Sequence, residues 1–125
     1  TNGCFDILHS GHIKLLINSK KRSDVLIVGL NSDKSYFKVK NKKPLYSFRE
    51  RALILSQVHS IDFIVKLDDI NPKKLINNLK PDLHCKGGDY KEKKLEEYNL
   101  LKRLKIKIYI MPIKGKKISS SKIIL

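Results

Sequence analysis

An α/β fold, with a parallel sheet of about five strands covered by helices on both faces, is predicted by three observations. Short apolar runs with polar ends alternate with helix-like segments along all 125 residues. Glycine-bearing motifs follow several of those runs, and no internal repeat or linker divides the chain. A strand-helix alternation implies right-handed crossovers, hence parallel strands buried on both faces. A chain of this length buries one core but not two, so residues 1–125 are read as a single domain.

The elements follow in order. Thr1-Asn2-Gly3 reads as the end of a first strand that is cut short, so the natural polypeptide is expected to extend upstream. Ile13, Leu15, Leu16 and Ile17 recur at helical spacing and end among Lys20, Lys21 and Arg22, basic residues suited to the negative end of a helix dipole. Residues 24–33, DVLIVGLNSD, read as a strand buried on both faces. Residues 34–46 are polar and lysine-rich and are expected to form a mobile loop. Ser47 and, three residues later, Glu50 make a capping-box pattern, which starts a helix near Phe48 that runs to Val58. Residues 62–67 read as a strand. Asn71-Pro72 then opens a helix ending at Lys80, before Pro81. A strand over 82–86, a helix around 95–104 and a strand over 107–111 complete the alternation, and Ser119, Ser120 and Ser121 open a short terminal helix.

Ligands of such sheets bind at the carboxyl ends of the strands. The motifs fall there: residues 3–12 after the first strand, Asn31-Ser32-Asp33 after the second, Lys86-Gly87-Gly88-Asp89-Tyr90 after the fourth, and the three serines after the fifth. In the run Gly3-Cys4-Phe5-Asp6-Ile7-Leu8-His9-Ser10-Gly11-His12, glycines let a phosphate approach backbone N–H groups at a helix start. His9 and His12, three apart, can face the same anion. Neither a P-loop nor a G-x-G-x-x-G fingerprint occurs.

The formal net charge of +15 fits a nucleic-acid binder, but also a site for triphosphates and sugar phosphates. The charge is mostly lysine scattered along the chain, and aromatics, at 7%, are not interleaved with a basic stripe as stacking platforms are. Nucleic acid is therefore the disfavoured partner. No apolar stretch approaches the ~20 residues of a membrane helix, and the start does not read as a signal peptide, so a cytoplasmic protein without a membrane partner is expected. Cys4 and Cys85 are expected as free thiols, and no cysteine-histidine spacing suggests zinc.

With G-x-F-D followed by H-x-G-H, intact and correctly spaced, the chain resembles the cytidylyltransferase-like (HxGH) nucleotidyltransferases. T-N-G-C-F-D-I-L-H-S-G-H, L-I-V-G-L-N-S-D and P-D-L-H-C-K-G-G-D-Y make it most similar to the adenylyltransferase branch of ADP-heptose synthesis. The resemblance implies a Rossmann-like HxGH nucleotidyltransferase fold. It also implies transfer of AMP from ATP to a sugar 1-phosphate, D-glycero-beta-D-manno-heptose 1-phosphate, with release of pyrophosphate. Mg2+ is implied as cofactor, held mainly by the phosphates, with Asp6 or Asp89 the carboxylate nearest that role; no metal ligand is assigned. A homodimer and a sugar kinase domain, fused or separate, are the implied protein partners. The product would feed lipopolysaccharide core or another surface glycan.

By the same resemblance His9, His12 and Lys40 are the catalytic groups. Gly3, Cys4, Phe5, Gly11, Lys86, Gly87, Gly88, Asp89, Ser119, Ser120 and Ser121 bind nucleotide and phosphates. Asp6, Asn31, Asp33 and Arg51 lie on the substrate side. Three departures bear on substrate details: serines stand where the family has S-T-T, Lys117 where glycine is common, and Lys43-Pro44 where Arg-Pro is usual. Each assignment has a plainer counterpart. Lysines in a run such as residues 38–43 are most often solvated, Asp6 can orient a neighbouring loop, Arg51 can pair an acid of its own helix, and Asn31 and Asp33 can form turns. Three other functions compete: a cytidylyltransferase for glycerol 3-phosphate or a related polyol or amino-alcohol phosphate, a basic nucleic-acid module, and a nucleotide-sensing regulatory domain.

Overall fold

A computed structural model of the chain describes residues 1–88 and 91–112. The expected terminal helix with Ser119, Ser120 and Ser121, and the assignment to Asp89, lie outside those residues. The described elements are β1 (Asn2–Gly3), α1 (Ser10–Lys21), β2 (Ile27–Asn31), α2 (Asp33–Lys40), α3 (Phe48–Ser56), β3 (Phe63–Leu67), α4 (Lys73–Leu79), β4 (Leu83–Gly87), a 3-10 turn (Glu92–Lys94), α5 (Tyr98–Arg103) and β5 (Lys107–Met111).

Every ladder is parallel, as the alternation requires. β1, β2 and β3 form one sheet in that order, with Gly3 opposite Leu30 and Ile27 opposite Phe63. β4 and β5 form a second, with Leu83 opposite Lys107. The single sheet of about five strands expected from sequence is thus divided three and two. No ladder joins β1 to β4 among the described residues. A mostly apolar cavity of about 90 Å3 lies between β2 and β4, walled by Ile27, Leu75, Ile76, Leu83 and Cys85. Helix α1 spans the two sheets. Its Leu16 joins the core of the first, and its Leu15 lies 3.6 Å from where a β-carbon on Gly87 of β4 would stand.

Two apolar clusters hold the layers. Phe5, Leu16, Leu26, Val28, Leu30 and Leu55 pack one face of the first sheet, and Ile76, Leu101 and Ile106 pack α4 and α5 on the second. Each fully buried leucine contributes about 1.5–3 kcal/mol relative to an exposed one. Both cysteines are free thiols. No helix among the described residues is long and apolar enough to cross a membrane.

One sequence expectation fails in the lysine-rich segment, where α2 replaces the mobile loop over its first half. Ser32 caps it by accepting the Ser35 N–H at 3.1 Å, Asp33 sits in the first turn, and Tyr36 is buried, while Lys34, Lys38 and Lys40 stay exposed. Capping and one buried aromatic outweigh composition here. Asn41, in the left-handed region at φ 55°, ends the helix and leaves Lys40 at its last turn. The helix at Phe48 starts as the sequence predicts, with the Ser47 hydroxyl accepting the Glu50 N–H at 3.3 Å.

Candidate active site

The chain leaves β1 through Phe5, a non-glycine residue in the left-handed region at φ 46°. That conformation is sparsely populated and marks a constrained turn. It turns the Phe5 ring back beneath Gly3, where any β-carbon would stand 2.9 Å from a ring carbon. Gly3 is therefore required for close packing, which is a different reason from the phosphate approach the sequence suggests. The Phe5 ring then supports His12, with centroids 5.2 Å apart.

His9 and His12 cap α1 reciprocally. The Gly11 N–H donates to His9 Nδ1 at 3.1 Å, and the His9 N–H donates to His12 Nδ1 at 3.3 Å. This is the two-way bonding of a capping box, with imidazoles in place of the usual hydroxyl and carboxylate. Because both Nδ1 atoms accept, the proton of each neutral ring is on Nε2. The two rings stack with centroids 3.8 Å apart, and each has Nε2–H as its donor. Burial, followed by the neighbouring His9, lowers the His12 pKa to about 4, and burial lowers that of His9. Both rings are neutral near pH 7. Gly11 leaves room for this stack, since a β-carbon there would lie 2.9 Å from the His9 ring.

A cleft of about 970 Å3 opens at the carboxyl ends of the strands, where the fold predicts a ligand. Gly3, Cys4, Phe5 and Asp6 line it from β1 and the following turn, with His9 and His12 from α1. Lys40 lines it from the end of α2, Asn31 from β2, and Lys86 and Gly87 from β4. Lys40 also acts electrostatically on Cys4. Burial pushes the Cys4 thiol up, so it stays protonated and is no nucleophile. Gly88 follows β4 at φ 127°, its N–H donating to Met111 O at 3.1 Å, and does not line the cleft.

The residues read as substrate-side serve mostly as the cleft's foundation. Arg51 is 0% exposed and donates to Tyr46 O, Cys4 O, Asn31 O and Asp33 Oδ1, each at 2.8–2.9 Å. One guanidinium thus ties the end of β1 to the end of β2, the entry to α3 and the start of α2. A fork of fixed donors suits such a junction, and an ammonium does not. Asp33 also accepts the Phe48 N–H at 2.8 Å. Asp6 accepts the N–H groups of Leu45 and Tyr46 at 2.8 and 2.9 Å and the Tyr36 hydroxyl at 3.1 Å. Burial and this carboxylate push Tyr36 up to about 12, which keeps it a donor. Asn31 donates to Ser35 Oγ at 3.0 Å. Asp6 and Asn31 still line the cleft, whereas Arg51 and Asp33 do not.

Among the described residues Mg2+ finds little protein ligation. Both Asp6 oxygens are engaged by protein donors, and no group of three or more His, Cys, Asp or Glu side chains among the described residues is arranged to hold a metal.

Sequence reading missed one buried pair beside the cleft. His84 Nε2 lies 3.1 Å from Glu97 Oε1, with each residue 3% exposed, and Glu97 reaches the cleft wall. The alternation of β4, which places His84 on the same face as Lys86, was the available signal.

Comparison with known proteins fits this geometry. A family model described as Cytidylyltransferase-like matches residues 1–125. The chain is 48% identical over 107 residues to the bifunctional protein HldE of Campylobacter jejuni strain RM1221, and 45% identical over 107 residues to that of Wolinella succinogenes. Each alignment covers 85% of this chain and 23% of the relative, so the chain spans less than a quarter of the length of the curated relatives it matches. Against the bifunctional protein HldE of Helicobacter pylori strain Shi470 the identity is 47% over 96 residues, 76% of this chain and 21% of that protein. Among solved structures, a lipopolysaccharide core biosynthesis protein of Thermoplasma volcanium matches with a TM-score of 0.72 at 29% identity. That superposition covers 93% of this chain and 94% of the other.

Proposed function

The chain belongs to the cytidylyltransferase-like family of nucleotidyltransferases, and from that premise we propose that it transfers AMP from ATP to a sugar 1-phosphate, D-glycero-beta-D-manno-heptose 1-phosphate. The products are ADP-heptose and pyrophosphate. The observation that carries this reading is the stacked pair His9 and His12, two neutral Nε2–H donors fixed by their own helix cap in a cleft that also holds Lys40 and Lys86. The resemblance to HldE proteins and to a lipopolysaccharide core biosynthesis protein supports a sugar phosphate as acceptor.

In this reading a phosphate oxygen of the acceptor forms a bond to the α-phosphorus of ATP while the bond from that phosphorus to the β-bridging oxygen breaks. Pyrophosphate carries away the electron pair. The acceptor phosphate is already a dianion, so no side chain needs to remove a proton, and no covalent enzyme intermediate forms. What the protein supplies is position and charge. The imidazole N–H pair stabilises the oxygens of the α-phosphoryl group, and Lys40 and Lys86 balance the departing pyrophosphate. The buried Arg51 junction and the Asp6 bonds to Leu45 and Tyr46 keep the ends of β1, β2 and α2 in register around them. Mg2+ bound to the ATP phosphates would supply charge neutralisation there, and no step assigned to these residues runs through it. A sugar kinase, on the same polypeptide or separate, is the proposed source of the sugar 1-phosphate.

Pyrophosphate release with Mg2+ tests the reading, with ATP and CTP each offered against heptose 1-phosphate, glycerol 3-phosphate and no acceptor. Release with ATP and the heptose phosphate alone is the expected outcome. Turnover with CTP and glycerol 3-phosphate would move the chain to the polyol-phosphate branch, and silence in every arm combined with salt-sensitive DNA or RNA binding would favour a nucleic-acid module.

A further inference from the structure

We infer that Glu96 is a specificity residue of the cleft: its carboxylate accepts hydrogen bonds from hydroxyl groups of a substrate sugar, the ribose of ATP or the sugar of the acceptor. The inference rests on the nucleotidyl-transfer reading of that cleft and adds to it a residue that no motif includes.

Among the described residues three carboxylates line the cleft, those of Asp6, Glu96 and Glu97, against the lysines Lys40, Lys42, Lys43, Lys86 and Lys94. Two of the three are occupied by the protein itself. Asp6 accepts from the Leu45 and Tyr46 amides and the Tyr36 hydroxyl. Glu97 Oε1 lies 3.1 Å from His84 Nε2, with both residues 3% exposed. Glu96 is exposed, and no hydrogen bond or ion pair engages it among the described residues.

The neighbours of Glu96 set its direction. After the 3-10 turn the backbone is extended at Leu95, with φ −68° and ψ 134°. Leu95 is 8% exposed and Glu97 3%, so the side chains on either side of Glu96 both go inward, that of Glu97 to His84 of β4. Successive side chains of an extended segment point to opposite sides, which for Glu96 is outward, along the cleft wall. Both flanks are fixed: the Tyr98 N–H donates to Leu95 O at 3.1 Å and the Leu101 N–H to Glu97 O at 2.9 Å.

A carboxylate with unused lone pairs is repelled by a phosphate, so in a cleft whose lysines serve phosphates it faces another part of the substrates. It is an acceptor only and needs donors. In the two substrates of the proposed reaction the donors are sugar hydroxyls and the amino group of the base. Adjacent hydroxyls offer two O–H groups to the two carboxylate oxygens, and the amino group offers no such pairing across the carboxylate when it also serves its own ring edge.

The test pairs a protein change with a ligand change on the full chain. Calorimetry measures ATP, 2′-deoxy-ATP, 3′-deoxy-ATP and inosine triphosphate, which lacks the amino group, against wild type and Glu96→Ala, with Mg2+ and with EDTA. Turnover gives KM for heptose 1-phosphate. If Glu96 holds the ribose, Glu96→Ala weakens ATP by about tenfold, as loss of a charge-assisted bond does. Wild type then binds one of the deoxy compounds weaker by a similar factor, and the variant no longer tells that compound from ATP. If Glu96 holds the acceptor sugar, ATP affinity stays within about twofold and KM for heptose 1-phosphate rises about tenfold, the pattern of lost uniform binding. Glu96→Gln, which keeps an acceptor oxygen without its charge, falls between wild type and Glu96→Ala in either case. Unchanged or tighter ATP binding together with an unchanged KM for the sugar phosphate would overturn the inference. So would a loss of ATP affinity that is equal for both deoxy compounds, that needs Mg2+, or that vanishes with inosine triphosphate. Each of these leaves the nucleotidyltransferase reading intact, whereas wild-type protein that binds no ATP would overturn both.

Discussion

His9 and His12 show how a helix cap can also be a donor pair. Each ring uses Nδ1 to hold a backbone N–H, which obliges Nε2 to carry the proton. Protonating either Nδ1 would break the cap, so the cap favours the neutral rings as burial does. The consequence for stability is directional. With folded pKa values below the ordinary 6.5, and His12 at about 4, the unfolded chain takes up protons first as pH falls through that window. Stability is therefore fully present above about 6.5 and is lost progressively toward pH 4, with His84 adding in the same sense. Urea titrations at pH 7, 5.5 and 4.5 read this as a falling midpoint. A bound triphosphate reverses the balance at the rings, so the His12 titration seen by NMR moves upward from about 4 when ATP is added. His12→Ala removes one donor from the transition state and is expected to lower kcat by about a hundredfold to a thousandfold. Sequence made the pair legible because H-x-G-H is contiguous. Their mutual capping was not legible, because it depends on ring orientation.

At the scale of elements the junction built on Arg51 decides whether the cleft keeps its shape. Arg51→Met leaves the carbonyls of Cys4, Asn31 and Tyr46 without their donor in a buried place. A loss of about 3 kcal/mol or more follows, measured by urea unfolding, and Arg51→Lys recovers little of it because an ammonium lacks the fork. Asp6→Ala acts more locally: the Leu45 and Tyr46 amides lose their acceptor, and their hydrogen exchange quickens while that of β2 stays slow. The family resemblance singled out Asp6, Asn31, Asp33 and Arg51 and implied ligand-side roles for them. Long-range bonds across 15 to 47 positions, which no local pattern records, also give them protein partners. The same limit explains α2. Composition reads residues 34–46 as a loop, whereas Ser32 and Tyr36 form a cap and a buried anchor that only the tertiary structure makes effective. It explains Glu97 too, because Leu95-Glu96-Glu97-Tyr98 has no motif and meets His84 only when α5 docks on β4.

For the molecule as a whole, strand-helix alternation was enough to give the α/β class and the parallel ladders, because periodicity survives without knowledge of neighbours. The division into sheets of three and two was not, because which strands share a ladder is a long-range property that no segment's own pattern records. The net charge of +15 belongs to this scale as well. Lysines around the cleft attract a tetra-anion, so the ATP dissociation constant is expected to rise with added salt, with a shallower slope than a nucleic-acid binder shows on DNA. The central claim is that this cleft moves the nucleotidyl group itself. It is tested most directly by following label from ATP marked at the α-phosphate, and separately at the γ-phosphate, in the presence of heptose 1-phosphate and Mg2+. The account predicts α-label in the sugar nucleotide and γ-label in pyrophosphate, with both signals lost in His12→Ala. Label from the γ-phosphate appearing on the sugar, or α-label remaining in ATP while the wild-type protein binds it, would contradict the account.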